Sequence, residues 1–83
     1  MNEETRRHIL QQSYVKAMQC KETVEDTIEK SVIIKMRYER DADDYIKAVL
    51  DFKEQLKEAK KEGIITDDEY SRLYDNVMLE VKE

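Results

Sequence analysis

His8 and Cys20 are the chain's single histidine and single cysteine, and they are the first places to look for chemistry. Glu4 stands four residues before His8 and would share a helical face with it. Such a pair holds a metal only weakly. A zinc or di-iron site needs more ligands, and the chain contains no Glu-x-x-His or His-x-x-x-His pattern. Cys20 lies twelve residues from His8, more than three helical turns away, whereas a nucleophile needs a base within hydrogen-bonding reach. Asp41, Asp43 and Asp44 lack the glycine and the ligand spacing of a calcium loop. One glycine in 83 residues leaves no glycine-rich phosphate loop. These residues predict no enzyme, no cofactor and no metal.

Basic residues offer a different chemistry. Arg6, Arg7 and Lys16 lie near the start of the chain, and Lys35, Arg37 and Arg40 lie further on beside Tyr38. The second group could meet phosphate or an acidic protein patch. The net charge is −5 and uneven. Residues 1–40 carry eight Lys/Arg against seven Asp/Glu, and residues 41–83 carry seven against thirteen. A chain built to bind nucleic acid is normally basic. Nucleic acid is therefore the second choice of partner, and another protein the first. A single cysteine cannot form a disulfide within the chain, and no apolar run is long enough for a signal peptide or a membrane span. The expectation is a cytoplasmic protein without a membrane partner.

The elements that must position these residues read as helices. Charged residues are 42% and apolar residues 40%, with no proline, a balance that fits helices with one wet face. A chain of this length buries only about 60–65% of its unfolded surface, so a second copy would help complete its core. Asn2 can cap a first helix over about 3–40, with Glu3 and Glu4 in its first turn. Positions 10, 14, 17, 21, 24, 28, 31, 35, 38, 42, 45, 49, 52, 56 and 59 alternate steps of four and three. Twelve of these fifteen are apolar or aromatic; the exceptions are Lys21, Ser31 and Lys35. That is a seven-residue repeat, the mark of coiled-coil-like packing. Leu10, Tyr14, Val24, Ile28, Tyr45, Val49, Phe52 and Leu56 are its candidates for self-association, with a dimer favoured. Simple amphipathic helices are the plainer alternative.

Val32, Ile33 and Ile34 depart from the pattern. With Ile28 and Lys35 on the seam, Ile33 points the other way, and a helix apolar all round must be covered all round. The segment is either wrapped by later helices or is the contact surface for a partner. Ser31–Tyr38 also has the alternation of a strand, but it has no second strand to pair with. Arg40-Asp41-Ala42-Asp43-Asp44 is the expected break before a second helix over about 43–62, because aspartate suits helix starts better than interiors. The heptad passes through it in phase, which leaves one uninterrupted helix as the alternative.

Gly63 suits the position just after a helix C-terminus, with Lys57, Lys60 and Lys61 in the preceding turns. Thr66-Asp67-Asp68-Glu69 has the form of a capping box, flanked by Ile65 and Tyr70 as a hydrophobic staple. A third helix follows over about 67–82. Residues 49–78, with Gly63-Ile64-Ile65-Thr66, the acidic run, Tyr70 and Leu73, resemble the short C-terminal domain family known as SHOCT, a small helical hairpin. The resemblance implies an interaction or oligomerisation element without catalytic residues.

The sequence thus predicts a single all-α domain over residues 1–83, a long N-terminal helix followed by a helical hairpin. The predicted function is binding another protein, as a small adaptor, regulator or inhibitor. The predicted contact residues are Val32, Ile33, Ile34, Arg37, Tyr38 and Arg40. Nucleic-acid binding through Lys35, Arg37 and Arg40 is the alternative.

Overall fold

The computed structural model describes residues 2–29 and 35–79, with side chains described for 2–26 and 39–79. Three helices make up the described chain: α1 (Glu3–Glu29), α2 (Lys35–Lys61) and α3 (Asp67–Val77). Asn2 caps α1 as expected, its side-chain oxygen accepting from the Thr5 N–H at 2.8 Å.

The break between the first two helices is not where the aspartates suggested. α1 ends at Glu29 rather than near residue 40, and Arg40–Asp44 lies inside α2. The helical start of α2 at Lys35 also excludes a strand over 35–38. The physical reason is length matching. α1 and α2 are 27 residues each, so two antiparallel helices cover one another end to end. A break near residue 41 would set a helix about twice as long against a shorter one and leave half its seam in water. Against that, each aspartate in a helix interior costs at most about 0.7 kcal/mol. Asp43 also gains a 3.0 Å ion pair with Lys47 one turn on, in the favourable orientation.

The antiparallel pairing of α1 and α2 is fixed by contacts across the seam. Tyr14 meets Phe52 with ring centroids 5.4 Å apart and planes at 55°, the tilted geometry aromatic pairs prefer. At the far end, Arg6 near the start of α1 reaches Glu62 just past the end of α2. Leu10, Ala17, Ala48, Phe52, Leu56, Ala59, Ile65 and Val77 form one buried cluster. Its three alanines let the helix backbones approach closely. All described seam positions, from Leu10 to Val24 and from Ala42 to Ala59, are buried or half-buried.

The α2–α3 junction follows the sequence closely. Gly63 has φ +76°, the left-handed conformation a Cβ disfavours. Its N–H donates to the Lys60 carbonyl at 3.0 Å, and the Ile64 N–H donates to the Ala59 carbonyl at 2.9 Å. These are the two bonds of a Schellman motif. Ile64 packs against the core cluster, as that motif's apolar contact requires. Thr66 then caps α3, its hydroxyl accepting from the Glu69 N–H at 3.2 Å. The reciprocal half of the box differs from expectation. The Glu69 carboxylate accepts from the Thr66 hydroxyl at 3.5 Å rather than from its backbone N–H.

α3 stops at Val77, short of the expected residue 82. The Tyr45 hydroxyl, buried on α2, donates to the Val77 carbonyl and accepts from the Leu79 N–H at 3.1 Å. These bonds hold the chain as it leaves the helix, at a place with neither glycine nor proline to mark an end. The described helices lay α3 against both α1 and α2, with Val77 fully buried.

Candidate functional site: the outer face of α2

The seam predicted for self-association is occupied within one chain. Leu10, Val24, Tyr45, Phe52 and Leu56 are buried there, and Tyr14 and Val49 pack half-buried against the core. Ile28 lies outside the residues with described side chains. Pairing of these residues with a second copy would require the α1–α2 hairpin to open. Of the predicted contact patch, Val32, Ile33 and Ile34 lie outside the described residues. Arg37 and Tyr38 fall in the first turns of α2, with side chains outside the described set, and Arg40 is exposed.

Three polar groups whose partners the sequence did not reveal hold the bundle together. The Arg6 guanidinium makes a two-pronged contact with the Glu62 carboxylate at 3.0 and 3.1 Å and donates to the Gln55 side chain at 3.1 Å. The Arg6 side chain is only 10% exposed. Its hydrogen bonds hold the Glu62 carboxyl below the usual carboxylate range, and Glu62 in turn raises Arg6. Lys21, a fault in the heptad, donates to the Asn76 carbonyl at 2.7 Å and so ties α1 to α3. Lys60 sits 5.3 Å from the centre of the Tyr70 ring and 2.7 Å from Asp67, bracing the junction from above. His8 contacts the Gln12 amide at 3.0 Å on the exposed side of α1. Among the described residues no three His, Cys, Asp or Glu side chains gather as a metal site. Cys20 is half-buried at the edge of the core.

What the sequence reading missed is on a flank of α2, about a third of a turn round the helix from its seam. Ile46 and Leu50 are each 57% exposed, one turn apart on one face. Along the same face run Glu39 and Asp43 on one side, then Lys53 and Lys57 on the other. Glu39, Asp43, Ile46, Leu50, Lys53 and Lys57 are spaced four, three, four, three and four, a second heptad stripe on α2. The signal was present in the sequence. It was hidden because Ile46 reads as part of the apolar core stripe until the structure shows which side α1 and α3 cover.

The fold and this face define a three-helix bundle with a closed core and an apolar stripe left outside. Comparison of the chain with family models, with curated proteins and with solved structures returned no match. No helix among the described residues is long and apolar enough to cross a membrane.

Proposed function

We propose that this chain is a small cytoplasmic protein-binding module, acting as an adaptor, regulator or inhibitor, and that the outer face of α2 is its docking surface. The observation that carries the reading is the adjacent pair Ile46 and Leu50, each 57% exposed one turn apart on α2, whereas the other exposed large apolar side chains, Val15 and Met78, lie singly on α1 and just after α3. An exposed apolar patch rimmed by charge is the common form of a protein contact surface. Arg40, the member of the sequence-level patch whose side chain is described, is exposed next to Glu39 at the start of this stripe. The resemblance of residues 49–78 to SHOCT points to the same class of function. A single cysteine fits a reducing compartment.

The test is comparative capture from the source cell's lysate with the wild type and with Ile46→Glu/Leu50→Glu. Both side chains are exposed and glutamate is a good helix former, so the variant keeps its circular dichroism and melting curve. The reading requires a set of proteins retained at least about tenfold better by the wild type, the loss expected when an apolar hot spot is removed. Equal retention by a folded variant overturns it.

A further inference from the structure

The stripe on α2 is its own complement. Its first two positions are acidic, its middle two aliphatic and its last two basic: Glu39, Asp43, Ile46, Leu50, Lys53, Lys57. The arrangement is symmetric about residue 48. Turned end over end, a second α2 sets Glu39 opposite Lys57, Asp43 opposite Lys53, and Ile46 opposite Leu50. A two-fold interface demands this: if residue i meets residue j, then j meets i. The four–three spacing keeps the stripe facing a partner helix over its whole length, about 27 Å. We infer that the occupant of this face is a second copy of the chain, and that the protein forms a two-fold dimer through antiparallel α2 helices. The inference rests on the docking surface proposed above and names its partner.

The geometry of the monomer permits the contact. Ile46 and Leu50 are 57% exposed, so neither α1 nor α3 covers the middle of the stripe. Of the charged ends, Glu39, Asp43 and Lys57 are exposed, with the Asp43 side chain 62% and the Lys57 side chain 54% exposed, and Lys53 is half-buried. Asp43 already pairs with Lys47, and Lys57 lies 3.8 Å from Glu54, but exposed pairs of this kind exchange partners at little cost. On the flank, Arg40 of one copy lies across from Glu54 of the other, a third opposite-charge pair. The two Lys47 side chains approach near the dyad, each already screened by its own Asp43. One helix pair buries less than the roughly 1,600 Å² of a standard interface. The dimer is therefore weak and reversible, and it differs from pairing through the inner seam because the hairpin stays shut.

Sedimentation equilibrium tests it, on the full chain from roughly 10 µM to 1 mM, the range a small interface occupies. The wild type rises from its 10.0 kDa monomer mass toward twice that value. Ile46→Glu/Leu50→Glu stays monomeric. An acidic variant (Lys53→Glu/Lys57→Glu) and a basic variant (Glu39→Lys/Asp43→Lys) each lose association by at least about tenfold alone, since like charges then face one another. Their equimolar mixture forms a heterodimer, and all four substitutions in one chain restore the homodimer. Circular dichroism confirms that each variant is folded. A wild type monomeric at 1 mM overturns the inference, as does a dimer indifferent to Ile46→Glu/Leu50→Glu or a mixture of folded variants that does not pair. The outcomes separate from those of the capture experiment. A monomer whose lysate capture needs Ile46 and Leu50 removes the dimer and leaves the function, and a dimer with no captured protein does the reverse.

Discussion

Replacing Tyr45 with phenylalanine removes one oxygen and two hydrogen bonds. The hydroxyl donates to the Val77 carbonyl and accepts from the Leu79 N–H, so it joins α2 to the end of α3. Phenylalanine keeps the ring in the core and leaves both backbone groups without their partner. Each neutral hydrogen bond contributes about 1 kcal/mol net, and a buried group left unpaired costs about 1–3 kcal/mol. The Leu79 end is only part-buried and can take a water in compensation, so the expected loss for Tyr45→Phe is about 2 kcal/mol. For a domain of this size that lowers Tm by about 10 °C. Chemical and thermal unfolding followed by circular dichroism would read it. Hydrogen exchange localises it: the Leu79 amide, now without its acceptor, should lose protection by a factor of about 30, the same 2 kcal/mol expressed as an equilibrium. The control is Tyr14→Phe, whose hydroxyl accepts only a long 3.5 Å contact from Asn76 in an exposed setting. It should change stability by less than about 0.5 kcal/mol. Burial also raises the Tyr45 pKa above its ordinary 10.0. The folded state thus holds the phenol neutral, and the stability this provides is full below pH 10 and lost as pH rises through the folded pKa. The gap between wild type and Tyr45→Phe should shrink in that alkaline window. If Tyr45→Phe behaves like Tyr14→Phe, the Tyr45 hydroxyl does not hold the end of α3.

Two further outcomes follow from single residues. An added Cβ at Gly63 meets nothing within 4 Å, so Gly63→Ala costs only the left-handed backbone, about 1–2 kcal/mol. Gly63→Asn should cost less because asparagine tolerates that conformation, and a stabilising Gly63→Ala in urea unfolding would contradict the observed φ of +76°. Glu62 is held below its ordinary 4.5 by hydrogen bonds from Arg6. A depressed carboxyl contributes stability that is present above pH 4.5 and lost as pH falls through the folded pKa. Acid titration of the melting temperature should show this loss in the wild type and a flatter curve in Glu62→Gln, and parallel curves would count against the Arg6–Glu62 contact.

Particular residues show how far the sequence could be read. The caps were legible because each is closed by partners within a few positions: Asn2 to Thr5, Lys60 to Gly63, Thr66 to Glu69. The phase of the inner seam was legible because burial on a helix repeats with the helix period. Lys21 looked like a defect because its partner, the Asn76 carbonyl, is 55 residues away. The aspartates at 41–44 looked like a helix start because their local preference is real, but it is small beside a seam of packed side chains. The stripe around Ile46 and Leu50 could be counted in the sequence, yet its exposure could not, since that depends on which flank of α2 the third helix takes.

The sequence by itself determined that the chain is helical, where the second helix ends, how the third begins, and which residues share a seam. Each of these is set by interactions within a turn or two. Only the tertiary structure decided that α1 ends at Glu29, that the seam closes on itself within one chain, and that α3 stops at Val77 against Tyr45. Those outcomes depend on which distant side chains meet. A heptad pattern gives the face each residue presents, and it is silent on whether the matching face belongs to the same chain or to another.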